Sequence, residues 1–215
     1  MINNFKTIIF DCDGVILNSN RVKQVAYYNV IFSHYGDKFA NLMIEYLSKN
    51  TGKPREHFFL YFLNNIVPSG TVGPNAEELV LEVSEEINKG LMECEISKSL
   101  FKLRENFPDT SWFIVSGGVQ SELRNIFINR SLIDLFDGGI FGGPESKDEI
   151  LKSLFQKNSI EFPAIYLGDS RFGYEVASQF NLDFLFISDW TDFKDWKSYC
   201  HSNNISSVRS LTALL

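Results

Sequence analysis

The run Asp11-Cys12-Asp13-Gly14, directly after the apolar residues Ile8-Ile9-Phe10, is the feature that most constrains this chain. Consecutive large apolar residues of this kind are typical of a buried strand in a parallel sheet. Because side chains alternate along a strand, Asp11 and Asp13 project to the same side. Gly14 then allows the backbone to turn sharply as the strand ends. Ligands bind at the carboxyl ends of strands in open α/β sheets, so the pair predicts a site where one acid attacks or holds a metal and the other moves protons.

Composition narrows the function classes. The 215 residues suffice for one large domain or a domain with an insertion, and 44% hydrophobic with 22% charged residues is ordinary for a globular protein. A net charge of −7 without a basic run argues against nucleic acid or an anionic membrane as a partner. The scattered Cys12, Cys94 and Cys200 favour a reducing compartment. With neither a signal-peptide pattern nor a bilayer-length apolar stretch, we expect a cytoplasmic protein.

Apolar runs that resemble buried parallel strands recur along the chain. They are Thr7–Phe10, Trp112–Ser116, Ala164–Leu167, Phe184–Ile187 and the weaker Gly139–Phe141. Helical patterns lie between the later runs, at Val119–Asn129, Asp148–Lys157 and Tyr174–Gln179. Strands that alternate with helices predict an α/β fold with a parallel, Rossmann-like sheet covered on both faces.

Residues 20–106 interrupt this alternation, because they contain only helix-like segments. These segments are Arg21–His34, Lys38–Lys49, Arg55–Val67 and Ala76–Glu105, separated by Gly- and Pro-containing breaks. A block this long is too large for a simple crossover between neighbouring strands. We therefore predict a catalytic core of residues 1–17 and 108–215, with an all-helical cap of residues 18–107 inserted after the first strand. A short helix is expected within Val208–Leu215.

Three further polar clusters lie at or near the ends of predicted strands. Ser116 can offer its hydroxyl, and Gly117 and Gly118 their backbone N–H groups, to a substrate phosphate; a helix N-cap with a flexible turn is the alternative. Lys147 opens a predicted helix, where a cation is unfavourable for the helix dipole, and an exposed lysine is the alternative. Asp169 either caps the next helix or provides a second metal carboxylate facing Asp11.

Taken together and in this order, the four clusters resemble the four motifs of the haloacid dehalogenase superfamily of aspartate-dependent phosphotransferases. The resemblance covers nearly the whole chain. It implies that Asp11 is the nucleophile that becomes an aspartyl phosphate, and that Asp13 is first the acid and then the base. It also implies that Ser116 and Lys147 hold the phosphoryl oxygens. Asp169 would complete a Mg²⁺ site with Asp11 and the backbone carbonyl of Asp13.

The chain departs from the family pattern at the fourth motif. Family members usually carry a second acid beside the residue equivalent to Asp169, but Gly168 and Gly173 occupy its two usual places. Glu175 is close in sequence and is expected a turn away on the helix. Because each carboxylate adds a large local charge, this loss predicts weaker Mg²⁺ binding without abolishing it.

The predicted cap bears on the substrate. The turn from Gly52 to Arg55 resembles the G-x-x-R substrate-specificity turn of the β-phosphoglucomutase-like branch, whose Arg can clamp a distal phosphate or carboxylate. Lys53 is a weaker substrate-binding candidate, and a helix start with solvated charges is the alternative for both. Lys23 occupies the place where the mutase has a His that serves its mutase chemistry, which argues against a mutase.

The expected function is a Mg²⁺-dependent phosphatase for a small phosphorylated metabolite, and a sugar phosphate is the expected substrate. A phosphosugar mutase and a phosphate-binding regulatory protein with weakened turnover stay open. A dehalogenase is disfavoured, because those relatives lack the second Asp that is present here as Asp13. We expect no nucleic-acid or membrane partner, and a monomer or weak homodimer.

Overall fold

The computed structural model describes residue 2 and residues 4–50 and 55–215. Six strands form one sheet: β1 (Thr7–Phe10), β2 (Ser111–Val119), β3 (Gly139–Gly143), β4 (Ala164–Gly168), β5 (Asp183–Ile187) and β6 (Ser206–Val208). Their order is β3-β2-β1-β4-β5-β6, and every neighbouring pair is parallel. The predicted α/β fold with a parallel sheet is therefore confirmed.

The central strand β1 is fully buried between β2 and β4. Its last residue, Phe10, lies beside Ile114 of β2 and Leu167 of β4. This register brings the segments that follow the three strands to one edge of the sheet. The polar clusters predicted from the sequence at Asp11, Ser116 and Asp169 are therefore neighbours at that edge.

Nine α-helices occur in the described residues. They are α1 (Asn20–Tyr35), α2 (Asp37–Lys49), α3 (Arg55–Tyr61), α4 (Ala76–Glu93), α5 (Leu100–Asn106), α6 (Gln120–Asn129), α7 (Lys147–Gln156), α8 (Arg171–Gln179) and α9 (Trp196–Ser202). Helices α6, α7 and α8 each connect two strands of the sheet, as the alternating pattern predicts. The apolar faces of α7 and α8 pack with strand residues in one buried cluster that includes Ile9, Val115, Leu151, Tyr166 and Val176. No helix in the described part of the chain has the length and apolar character needed to cross a membrane.

The chain divides into two compact units, one of residues 1–20 and 94–215 and one of residues 21–93. The first contains the sheet and α5–α9. The second is helical throughout its regular elements, including a π-helical turn at Phe62–Ile66. Its core is aromatic: Tyr27 stacks on the buried Phe59 with ring centroids 5.2 Å apart, and Tyr35 meets the buried Phe62 edge-on at 5.2 Å.

The helical unit is shorter at both ends than the predicted cap of residues 18–107. The single helical pattern predicted for Ala76–Glu105 is in fact two helices, α4 and α5, and Ile96 in the segment between them forms an isolated β-bridge with Leu17. There the backbone N–H of Ser97 donates to the carbonyl of Ile16 at 2.9 Å, and that of Asn18 donates to the carbonyl of Glu95 at 2.9 Å. These bonds tie residues 94–99 to the loop after β1, and so to the sheet-containing unit.

The tail also contains an element that the pattern did not predict. Residues Ser206–Val208 form β6, which pairs with β5 at the edge of the sheet. A three-residue strand with two serines lacks the apolar run that identifies buried strands. The expected short helix near the end is present as a 3₁₀ turn at Leu211–Leu214.

Candidate active site

Asp11 lies one residue beyond β1, where its backbone N–H donates to the carbonyl of Leu167 at 2.9 Å. Only 5% of the residue is exposed. Its Oδ1 accepts the backbone N–H of Cys12 at 2.9 Å, and its Oδ2 accepts a hydrogen bond from Lys147 Nζ. The carboxylate is thus buried, held in one orientation and paired with a cation.

Lys147 is the first residue of α7 and is only 7% exposed, so the alternative of an exposed lysine is wrong. The helix start is stabilised without it, because Glu149 Oε2 accepts the backbone N–H of Ser146 at 2.9 Å and its hydroxyl at 2.7 Å. Burial lowers the pKa of the Lys147 ammonium, but the adjacent Asp11 carboxylate outweighs it, and the pKa lies above its ordinary value. A charged, desolvated lysine therefore faces Asp11.

Asp13 is half-buried, and its Oδ1 accepts the hydroxyl of the buried Ser19 at 2.6 Å. Between the two acids and α1 the chain turns at Gly14, whose φ is +76°. A Cβ at Gly14 would lie 2.1 Å from Asp169 Oδ2. Gly14 is therefore required both for its left-handed backbone and for the close approach of Asp169.

Asp169 follows β4 and is buried. Its Oδ2 accepts the side-chain amide of Asn20 at 2.7 Å, and its backbone carbonyl accepts the hydroxyl of Thr191 at 2.5 Å. The N-cap of α8 is Ser170, whose hydroxyl accepts the N–H of Gly173 at 3.1 Å, so Asp169 does not cap that helix. Burial, and secondly the charge of Asp11, raise the pKa of Asp169 to about 7.

Ser116 is fully buried within β2, which continues to Val119 before α6 begins. Pairing with β3 is irregular between Val115 and Val119, so Ser116, Gly117 and Gly118 lie in a distorted strand end rather than in a strand-to-helix turn. The Ser116 hydroxyl accepts the N–H of Gly118 at 3.1 Å. The N-cap of α6 is Val119, so the capping alternative for Ser116 is wrong.

The donor set at this edge fits Mg²⁺, which takes hard oxygen ligands from one or two carboxylates and completes its shell with water and substrate. Asp11 and Asp169 supply carboxylates, whereas the Asp13 carboxylate is directed to Ser19, which is consistent with a contribution from its backbone carbonyl. Within the described ranges, no cluster of three or more Asp, Glu, His or Cys side chains could hold a metal. A bound cation would offset the burial and the repulsion from Asp11 that disfavour an ionised Asp169.

The missing second acid has a packing explanation at one of its two places. A Cβ on Gly168 would lie 3.0 Å from the ring of Phe184 and 3.1 Å from that of Tyr166. Glu175 is on the surface of α8, where its Oε1 accepts Arg171 Nε at 2.7 Å. Glu175 is thus engaged on its own helix, as expected from its position a turn away.

Of the two substrate-binding candidates of the predicted cap, Arg55 and Lys53, the structure describes only Arg55. Arg55 is the first residue of α3 and donates to the Ser84 hydroxyl of α4 at 2.7 Å, so it connects two helices of its own unit. Lys53 lies outside the described residues. The substrate-binding role of both stays a prediction.

Three residues of this site were not predicted from the sequence. Ser19 and Asn20 hold Asp13 and Asp169, and Thr191 fixes the backbone at Asp169. Ser19 and Asn20 could have been identified from the sequence, because polar residues at the beginning of a predicted helix are typical of N-terminal capping positions. Here that helix begins close to the end of β1. Thr191 had none, since its partner is 22 residues away.

Comparison with solved structures shows the same fold in several proteins. SP0104 of Streptococcus pneumoniae, a haloacid dehalogenase-like family hydrolase, is 20% identical with a TM-score of 0.68, and the alignment covers 97% of this chain and 96% of that one. A CbbY mutant of Rhodobacter sphaeroides in complex with xylulose-1,5-bisphosphate is 12% identical, with a TM-score of 0.67 and coverages of 96% and 94%. YfnB of Bacillus subtilis, bound to magnesium, is 15% identical, with a TM-score of 0.65 and coverages of 94% and 99%.

Sequence comparison assigns the family. No curated protein matches the chain at a significant level. The family of haloacid dehalogenase-like hydrolases, however, matches residues 8–187, a range that includes Asp11, Asp13, Ser116, Lys147 and Asp169. The predicted family and hydrolase class are thereby confirmed: the chain belongs to the haloacid dehalogenase-like hydrolases.

Proposed function

We propose that the protein is a Mg²⁺-dependent phosphatase that hydrolyses a small phosphorylated metabolite through an aspartyl-phosphate intermediate. The observation that carries the proposal is the buried Asp11 carboxylate at the end of β1, paired with Lys147 and followed two residues later by Asp13. A nucleophile, a cation for the phosphoryl oxygens and an acid are thus on adjoining segments. Phosphoryl transfer depends mainly on such positioning and charge neutralisation.

In the first step, an Asp11 carboxylate oxygen attacks phosphorus, and the bond from phosphorus to the substrate oxygen breaks. Asp13 gives its proton to the departing alkoxide. Lys147 neutralises charge on the phosphoryl oxygens, and the Ser116 hydroxyl donates a hydrogen bond to one of them. The N–H of Gly118 already orients the Ser116 oxygen. The products are an alcohol and an aspartyl phosphate at Asp11.

In the second step, Asp13 accepts a proton from a water molecule whose oxygen attacks the aspartyl phosphate. The bond between phosphorus and Asp11 breaks, inorganic phosphate leaves, and both acids return to their starting protonation states. The hydrogen bond from Ser19 at 2.6 Å keeps the Asp13 carboxylate in place for both proton transfers. Mg²⁺, when held by Asp11, Asp169 and the carbonyl of Asp13, would supply positive charge to the transferring phosphoryl group.

A sugar phosphate is the substrate class we propose. The structurally similar CbbY binds a sugar bisphosphate, although at 12% identity this similarity concerns the fold. Arg55 is the residue we propose to recognise an anionic group of the substrate, since a guanidinium binds phosphate or carboxylate bidentately. Within the described residues, Cys12, Cys94 and Cys200 form no disulfide, which supports a reducing, cytoplasmic location.

Phosphate release from a panel of phosphorylated metabolites, with Mg²⁺ and with EDTA, tests the proposal. Asp11→Asn should lower turnover by several orders of magnitude, because an amide cannot form the acyl phosphate. The matched control is Asp183→Asn, which makes the same change at an exposed position at the start of β5. Full activity in EDTA or in Asp11→Asn would contradict the mechanism. Isomerisation of a sugar phosphate without phosphate release would favour the mutase, and phosphate binding without turnover would favour the regulatory protein.

A further inference from the structure

Asn20 connects the fourth-motif carboxylate to a second strand end. Its Nδ2 donates to Asp169 Oδ2 at 2.7 Å and to the backbone carbonyl of Trp190, beyond the end of β5, at 2.8 Å. Both N–H bonds of the amide are therefore used. Asp169 itself follows β4, so one side chain at the start of α1 joins the segments that follow two neighbouring strands.

The orientation of the Asn20 amide is determined by its partners. The Trp190 carbonyl oxygen can only accept hydrogen bonds. The Asp169 carboxylate is also an acceptor only, when it is ionised. A flipped amide would place its own oxygen against these two acceptors. Only the nitrogen satisfies the arrangement, so Asn20 faces Asp169 as a donor.

This donor engages one carboxylate oxygen of Asp169 and leaves Oδ1 as the oxygen available to a cation. The backbone of Asp169 is restrained as well, because its carbonyl accepts the Thr191 hydroxyl at 2.5 Å. The α-carbon of Gly14 also packs against the carboxylate, since a Cβ there would lie 2.1 Å from Oδ2. Three neighbours thus fix both the place and the rotation of one carboxylate.

We propose that Asn20 is a positioning residue for Mg²⁺: it holds Asp169 in the orientation that binds the ion, at a site where Gly168 and Gly173 provide no second acid. The inference deepens the proposed function and rests on its metal site. A carboxylate that must bind Mg²⁺ without a second fourth-motif acid depends on being preorganised. Removing a side chain that orients a metal ligand in this way typically lowers metal affinity by about ten- to one-hundredfold.

Isothermal titration of the purified, substrate-free protein with MgCl₂ tests this role directly. Asn20→Ala should raise the Mg²⁺ dissociation constant by about ten- to one-hundredfold. Asn20→Leu, which removes the donor but keeps a branched side chain, should do the same and serves if the alanine variant does not fold. Asn18→Ala is the matched control, because it removes the same amide two residues earlier from an exposed position.

Kinetics then separate positioning from structure. For Asn20→Ala, the Mg²⁺ concentration for half-maximal phosphatase activity should rise by the same factor as the dissociation constant, while kcat at saturating Mg²⁺ stays within a few-fold of the wild type. An unchanged dissociation constant with a lower melting temperature would show that Asn20 only stabilises the segment after β5, and would overturn the inference. If the wild-type protein binds no Mg²⁺, the proposed metal site itself fails, and the inference fails with it.

Discussion

Gly14→Ala should destabilise the protein and displace Asp169, although it adds only one carbon atom. Gly14 has a φ of +76°, and holding an L-residue in the left-handed region costs about 1–2 kcal/mol. The new Cβ would also lie 2.1 Å from Asp169 Oδ2 and 2.6 Å from Asn20 Nδ2. Both ends of one hydrogen bond must therefore move, and losing a hydrogen bond to a charged group costs about 1.5–3 kcal/mol. The expected destabilisation is about 2.5–5 kcal/mol.

Gly36→Ala is the matched control for backbone strain. Gly36 has a φ of +80°, and a Cβ there meets nothing within 4 Å. It should cost only the backbone part, about 1–2 kcal/mol, and leave Mg²⁺ binding unchanged. Each kcal/mol lowers the melting temperature of a chain of this size by about 2–4 °C, so the two variants are separable by thermal unfolding.

Titration with Mg²⁺ completes the assay. Gly14→Ala displaces Asp169 and should weaken Mg²⁺ binding, whereas Gly36→Ala should not. Equal melting temperatures for the two variants, with wild-type Mg²⁺ affinity in Gly14→Ala, would refute the reasoning. Such a result would mean that Asp169 and Asn20 move aside freely and that their hydrogen bond is not part of the metal site.

Three further expectations concern the other charged groups. Lys147→Met should lower the free energy of unfolding, measured in urea, by about 3–5 kcal/mol and remove turnover, because it leaves the Asp11 carboxylate buried without its cation. A small change in stability and in turnover would mean that the ion pair supports neither. Since the pKa of metal-free Asp169 is raised to about 7, Mg²⁺ binding should release a proton at pH 6 and almost none at pH 8.5. Calorimetric titrations in buffers of different ionisation enthalpy measure the number of protons released. No release at pH 6 would contradict a protonated Asp169. Arg55→Ala should impair turnover of the true substrate by about 2–5 kcal/mol more than that of p-nitrophenyl phosphate, with Ser84→Ala as control for the lost hydrogen bond within the cap; equal losses on both substrates would mean that Arg55 is structural.

Much of the core fold follows from local sequence pattern. Buried parallel strands must be apolar on both faces, so Thr7–Phe10 and Ala164–Leu167 are recognisable as continuous apolar runs, and they match β1 and β4 to within one residue. The meeting of Asp11 and Asp169 is also predictable in outline, because parallel strands bring their carboxyl ends to one edge. The element boundaries were less predictable: α4 ends at Glu93 because the next residues bond to the loop after β1.

The sequence by itself therefore determined the strand-helix alternation, the family and the identity of the acids. Tertiary structure alone decided which partners each polar side chain contacts. Lys147 reaches Asp11 across 136 residues of chain, and Asn20 reaches Asp169 across 149. Local pattern is compatible with an exposed lysine or with a capping aspartate at these places. Only the sheet order, which places β1 between β2 and β4, brings the partners within hydrogen-bonding distance, where burial and charge pairing set their roles.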